Sequence, residues 1–183
     1  LQAAVAAGLL NVGSTFVGTM ENCSKLLREM VEGTEPMDTA AKRIVAEHRA
    51  QRKHLPGFGH HLHKPDDPRT PKLFEIARAN GVRGDYIRAI EVLSQAVDDS
   101  FGKHMTINAT GGTAAVLSEI GIPPEIMRGF AVIARAAGLV AHIAEERDVP
   151  TARTIWDLVE EEIPYAGNAL EDILDDGNDG GDD

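Results

Sequence analysis

Residues 57–69 carry the sequence feature that most constrains this chain. The stretch opens with Gly57-Phe58-Gly59, and the next ten positions, His60–Arg69, hold three histidines, two aspartates, a lysine and an arginine. So many polar groups could not all find partners inside a buried helix or strand. We therefore expect a surface loop held between rigid elements, where binding groups tend to lie.

The rest of the chain carries helix signals on both sides of this loop. Apolar residues recur at helical spacing, for example at Ile87, Ile90, Leu93 and Val97, and no long stretch alternates with period two. The predicted helices cover roughly residues 1–10, 14–33, 38–48, 70–81, 86–101, 113–120, 123–146 and 152–162. The predicted fold class is all-α.

Composition excludes several functions. The net charge is −11, and seven of the acids lie in residues 171–183, which we expect to be a disordered acidic tail. An acidic chain is not suited to nucleic acid, because that affinity depends on neutralising phosphates. No apolar run approaches the ~20 residues of a membrane helix, so no membrane is expected. The single cysteine, Cys23, fits a cytoplasmic setting, and because Leu1 is not an initiator methionine we expect chain upstream of it.

The loop resembles the signature of the citrate synthase superfamily. The matching residues are Gly57-Phe58-Gly59-His60 followed, at the same spacing, by Asp67-Pro68-Arg69. The resemblance implies a multi-helix fold in which residues 1–105 form a small mobile domain carrying the loop. Residues 106–170 would be the C-terminal helices of a larger domain. The resemblance also implies a homodimer, and a second catalytic histidine upstream of Leu1.

The resemblance further implies a reaction and a set of residues. Family members make or break the carbon–carbon bond between an acyl-CoA, such as acetyl-CoA, and a keto acid, such as oxaloacetate. His60 matches the histidine that hydrogen-bonds the keto or hydroxyl oxygen, and Arg69 matches an arginine that binds a substrate carboxylate. Arg135 lies in a stretch resembling the family's Ala-Arg-x-x-Gly-x-x-Ala-His helix and would bind a second carboxylate. It interrupts an apolar helix face, where a buried arginine needs an anion.

Other positions are implied to bind substrate or coenzyme A. Arg153 lies near the place where the family supplies an arginine across the dimer interface. Gly57, Phe58 and Gly59 would lie against the adenine of coenzyme A, with Lys64 placed to bind a phosphate. The partners expected are therefore an acyl-CoA and a small di- or tricarboxylate.

One position departs from the family pattern. Counting back from Gly121-Ile122-Pro123 places Thr110 where the family has its catalytic aspartate, and a neutral hydroxyl cannot do the work of a carboxylate base. Gly111 and Gly112, which follow, replace bulkier residues and could open space or bind an anion through bare N–H groups. One hypothesis is a citryl-CoA lyase-like enzyme. The alternative is a catalytically impaired relative that binds CoA or a carboxylate.

A more remote alternative is a metal site in the histidine-rich loop. His61 and His63, with Asp66 or Asp67, offer borderline and hard ligands close together. A His-x-His in a loop is a weak signal, and no metal is expected.

Overall fold

The computed structural model describes residues 1–164 and residue 167, without the side chains of residues 14–17. Within that range eight helices form and no β-strand does, which confirms the all-α prediction. The helices are α1 (Gln2–Val17), α2 (Thr19–Glu32), α3 (Met37–Ala50), α4 (Arg69–Ala79), α5 (Asp85–Phe101), α6 (Ala109–Glu119), α7 (Pro124–Asp148) and α8 (Ala152–Glu162). The chain divides into two compact units, residues 1–140 and 141–183.

The core of the first unit is built around α5. Ile87, Ile90, Leu93 and Val97 are at most 1% exposed, so the predicted apolar face of this helix is confirmed. Burying a side chain of this size stabilises the fold by about 1.5–3 kcal/mol. On this face α5 packs against α2, α3 and α6, and α6 also packs against α2 and α4. The helices that flank the loop are therefore fixed by one shared core.

One predicted helix boundary coincides with a kink, and another is wrong. The predicted boundary near residue 14 adjoins Gly13, a non-helical residue with a φ of 62° that kinks α1, and a separate helix then begins at Thr19. Helix α6 begins at Ala109 rather than Thr113, because the Asn108 side chain caps it by accepting a 3.0 Å hydrogen bond from the Gly111 N–H. Gly111 and Gly112 therefore belong to the first turns of a helix.

The division into a small domain, residues 1–105, and a larger one, residues 106–170, stays a prediction. Helix α6 lies on the predicted large-domain side of that division, and it packs within residues 1–140 against α2, α4 and α5. In the second unit, the Glu146 carboxylate accepts hydrogen bonds from the backbone of Thr151 and Ala152 at the start of α8. The predicted disordered tail, residues 171–183, lies outside the described residues.

Helix α7 is long and apolar enough, by length and composition, to cross a membrane. The expectation that no segment approaches this length is therefore wrong. Length and composition alone are weak evidence for a membrane span, since a helix that packs against other protein passes the same test. The first turns of α7 do pack on protein, because Met127 is fully buried and Arg128 pairs with Glu21 of α2 at 3.1 Å.

Candidate active site

The loop is held by the segment that joins α5 to α6. The Gly59 N–H donates to the Thr106 carbonyl at 2.8 Å, and the Asn108 N–H donates to the Gly57 carbonyl at 3.0 Å. The Asn108 side chain adds a 2.9 Å hydrogen bond from Nδ2 to the Gly59 carbonyl. Phe58 between the two glycines is fully buried. The backbone is therefore fixed on both sides of Phe58, and this fixes the position of His60.

Gly111 allows the loop to lie directly on the first turn of α6. A Cβ at Gly111 would stand 2.5 Å from the Gly57 carbonyl oxygen and 2.9 Å from its Cα. Gly57 also has a φ of 93°, a conformation that favours glycine. The idea that Gly111 and Gly112 open space is wrong, because the loop backbone occupies that space at Gly111 and Thr70 occupies it at Gly112. The first-turn N–H groups of Ala109 and Gly111 are also taken, by Asp67 and Asn108, which argues against an anion there.

Replacing Gly111 with alanine should lower the free energy of unfolding by about 1–3 kcal/mol, because the added methyl meets backbone that cannot move freely. Gly129→Ala is the matched control, since Gly129 also lies inside a helix and a Cβ there meets nothing within 4 Å. The control should be neutral or stabilising by up to about 1 kcal/mol. Urea unfolding of both variants checks this, and equal midpoints would contradict the close approach.

Asp67 and Arg69 form a bidentate pair at the end of the loop. Arg69 Nε donates to Asp67 Oδ1 at 2.9 Å, and Nη2 donates to Oδ2 at 2.7 Å. The Asp67 side chain is fully buried and also accepts from the backbone N–H groups of Arg69 and Ala109. The Arg69 guanidinium, together with these N–H groups, holds the pKa of Asp67 well below its usual range.

His60 is held in one tautomer by the loop itself. Its Nδ1 accepts hydrogen bonds from the backbone N–H groups of Leu62, at 3.1 Å, and His63, at 3.0 Å. The proton of the neutral ring is therefore on Nε2, which makes that atom a donor. Burial, followed by the neighbouring His63 and His61, lowers the pKa of His60, so the ring is neutral near pH 7.

His104 fastens the far part of the loop to α5. Its Nδ1 contacts Asp98 Oδ2 at 2.6 Å, and its Nε2 contacts Asp66 Oδ1 at 3.0 Å. Asp98 also accepts from the Met105 N–H. The hydrogen bonds to Asp98 and then Asp66 raise the pKa of His104, because a protonated ring can donate to both carboxylates.

We expect stability to depend on pH through His104. A raised folded pKa means that the contribution of the imidazolium is complete below the ordinary pKa of about 6.5 and is lost as the pH rises through the folded value. Thermal unfolding from pH 5.5 to 8.5 should show the wild-type midpoint falling relative to that of His104→Gln. Parallel curves for the two proteins would contradict this prediction.

His60, Thr110 and Arg135 line one open cavity of about 1090 Å³. Two of the four positions singled out for substrate binding, His60 and Arg135, thus line the same cavity, and Thr110 lines it too. Within the described part of the chain, no aspartate or glutamate lines this cavity. Its basic lining residues are Lys25, His48, Lys53, His54, His60, His61 and Arg135.

The remaining predicted site residues are placed as follows. Phe58 and Gly59 line the cavity, whereas Arg69 and the exposed Lys64 do not. Arg153 is in the second unit, is 88% exposed and pairs with Asp157 at 3.3 Å. The argument that Arg135 is buried is wrong: Arg135 is exposed, and it has no partner among the described residues. An exposed, unpaired guanidinium remains available to a ligand.

Sequence reasoning missed the basic wall that follows α3. His48, Lys53 and His54 line the large cavity and also a smaller one of about 410 Å³, whose floor includes Val97 and Phe101. Cations at residues 49–53 also complement the dipole at the C-terminal end of α3, so their charge alone does not indicate a binding surface. The one feature of the sequence that could have indicated a binding surface is that Lys53 and His54 lie close to Gly57. The local sequence does not show toward which side of the fold their side chains point.

A metal at this site is disfavoured by the hydrogen bonds. His60, His63 and Asp67 have potential ligand atoms within 4.8 Å of one another. Each oxygen of Asp67 already accepts two hydrogen bonds, and His60 Nδ1 accepts two more. A neutral histidine could bind a metal through Nε2 only by moving its proton to Nδ1, which these N–H groups prevent.

Comparison with known proteins identifies the family of the chain. The family model described as "Citrate synthase, C-terminal domain" matches residues 1–156. The chain belongs to the citrate synthase family. The structure of citryl-CoA lyase from Hydrogenobacter thermophilus is 31% identical with a TM-score of 0.75, covering 90% of this chain and 63% of that one.

Curated relatives support the same family. The 2-methylcitrate synthase 2 of Corynebacterium glutamicum is 32% identical over 93 residues, which are 49% of this citrate synthase-family chain and 24% of the relative. Citrate synthase 2 of Bacillus subtilis is 27% identical over 142 residues, covering 74% and 36%. The chain therefore spans about a quarter to a third of the length of these relatives.

Proposed function

We propose that the protein makes or breaks the carbon–carbon bond between an acyl-CoA, such as acetyl-CoA, and a keto acid, such as oxaloacetate. The observation that carries this proposal is the shared cavity, in which His60 and Arg135 meet although they are far apart in the sequence. The likeness to a citryl-CoA lyase and to a 2-methylcitrate synthase supports the same reaction class.

Each residue has a distinct task in this proposal. His60 Nε2–H donates to the keto or hydroxyl oxygen, which stabilises negative charge on that oxygen. Arg135 offers a planar fork to one carboxylate. Arg69 uses Nε and Nη2 on Asp67, so its Nη1 N–H groups remain for a second carboxylate. Arg153 would act across a subunit interface.

Coenzyme A would occupy the same cavity along the loop. Gly59 is half-buried and offers backbone to an adenine, while Lys53 and His54 on the wall after α3 can contact phosphates. Lys64 is exposed and has no ion pair among the described residues, so it is free to reach a phosphate. The volume is large for a small-molecule site, as an extended thioester requires.

Thr110 leaves the position of the family's aspartate without a carboxylate. Synthesis requires a base that removes a proton from carbon, and cleavage requires the conjugate acid that returns it, so a neutral hydroxyl serves neither direction. Turnover therefore requires another proton carrier in the cavity. Thr110 also supports a second candidate, an impaired relative that binds CoA or a carboxylate without turnover.

Turnover and binding assays on the intact protein separate the two candidates. We expect oxaloacetate release from citryl-CoA, with a loss of about 100-fold or more in His60→Gln. Binding of CoA and citrate in calorimetry without turnover would support the impaired relative. If neither ligand binds, both candidates fail.

Self-association and location are part of the same proposal. Ile126, Phe130 and Ile133 of α7 are exposed, as are Trp156 and its apolar neighbours on α8. Such apolar surface is typical of a protein interface, and it supports a homodimer. Sedimentation of the intact protein tests this, and a monomer at micromolar concentration would overturn it. The buried, unpaired Cys23 is compatible with a cytoplasmic protein.

A further inference from the structure

Among the residues that the structure describes, no carboxylate lines the cavity to move a proton. Asp67 is the acid next to His60, and its buried oxygens already accept four hydrogen bonds. It does not line the cavity. A proton acceptor supplied by the described part of the chain is therefore a histidine, and the candidates on the wall are His48, His54, His60 and His61.

His60 is not free to accept a proton from the substrate. Its Nδ1 lone pair is directed at the N–H groups of Leu62 and His63, so its proton stays on Nε2. A hydroxyl oxygen that accepts from Nε2 lies about 3 Å from it. The acceptor has to be an imidazole next to that oxygen, with a nitrogen that is not already used.

His61 meets both requirements. Its ring stacks on the ring of His60, with centroids 4.7 Å apart and planes 15° from parallel. It lines the cavity, and neither ring nitrogen has a hydrogen bond or ion pair among the described residues. His48 does not meet the requirements, because its Nδ1 is hydrogen-bonded to the Ile44 carbonyl on α3. Among the described residues, the rings that contact the His60 ring are those of His61 and His63, and His54 is not one of them.

We propose, as an inference that rests on the proposed function, that His61 is the general base and acid of this cavity. It removes the proton from the tertiary hydroxyl of a citryl thioester while His60 Nε2–H donates to the same oxygen. The oxygen lone pair forms the keto group of oxaloacetate as the carbon–carbon bond breaks. The electrons of that bond form the enolate of acetyl-CoA, and the His61 imidazolium returns the proton to its carbon.

The test is His61→Ala compared with His63→Ala in the intact protein. His63 is the matched control, because its ring lies 4.4 Å from that of His60 but it does not line the cavity. For His61→Ala we expect kcat for citryl-CoA cleavage to fall about 100-fold or more, KM to stay within about threefold, and added imidazole to restore part of the rate. His63→Ala should stay within about threefold of wild type.

The outcomes separate this inference from the proposed function. Absence of cleavage by the wild-type protein overturns both. Wild-type cleavage that survives in His61→Ala overturns the inference alone. A loss that imidazole does not restore, or that His63→Ala shares, also overturns it, because the histidines would then act as a structural cluster. Thermal unfolding of each variant confirms that it is folded.

Discussion

Replacing Asp67 with alanine is expected to lower the free energy of unfolding by about 2–5 kcal/mol, because it leaves the backbone N–H groups of Arg69 and Ala109 without an acceptor in a buried position. Asp67→Asn keeps the size of the side chain and one acceptor oxygen, so its free energy of unfolding should fall by less than that of Asp67→Ala. Asp66→Ala is the matched control, since that neighbouring carboxylate is 68% exposed and pairs with His104. It should change stability by less than about 0.5 kcal/mol.

The effect of Asp67 should also depend on pH in a defined direction. A depressed folded pKa means that the carboxylate contributes fully above its ordinary pKa of about 3.9 and loses that contribution as the pH falls further. Urea unfolding should therefore show a constant gap between wild type and Asp67→Ala from pH 5 to 8, narrowing below about pH 4. A gap that grows on acidification would contradict the assigned pairing.

Replacing Arg135 with alanine should weaken citrate binding by about 10- to 150-fold. Its guanidinium faces the cavity of His60 without a protein partner in the described residues, so a carboxylate would supply its charge-assisted hydrogen bonds. Such bonds contribute about 1.5–3 kcal/mol. The affinity of Arg135→Lys for citrate should lie between those of the wild type and Arg135→Ala, because the charge stays and the planar fork is lost.

Calorimetric titration with citrate measures this directly. Arg147→Ala is a suitable control, since Arg147 lies on the same helix and does not line the cavity. It should bind citrate as the wild type does. If Arg135→Ala also binds citrate normally, the carboxylate role of Arg135 is wrong even if the cavity is the active site.

The parts predictable from the sequence are those with local causes. The loop follows from its own polar composition, and the buried face of α5 follows from the spacing of its apolar residues. The start of α6 was missed because the Asn108 side chain can serve either a turn or a helix cap, and only packing decides between them. The role of Gly111 depends on Gly57, which is remote in the sequence.

The candidate site shows the same division. The signature identified His60, while its tautomer depends on two backbone N–H groups whose direction no motif specifies. The position of Arg135 in the cavity was predicted, and its exposure was not, because apolar neighbours on α7 suggested burial. Lys53 and His54 were missed since only the tertiary arrangement turns them toward the cavity.

The absence of acids from the described cavity wall also affects how the protein should be assayed. A cavity wall that presents cations and no acids concentrates small anions from solution, although Lys25 is itself paired with Glu21. Sulfate and phosphate buffers would then compete with the substrate, and added salt would slow its capture as the Debye length shortens. Rates measured at different ionic strengths will therefore reflect different fractions of the cavity occupied by competing anions.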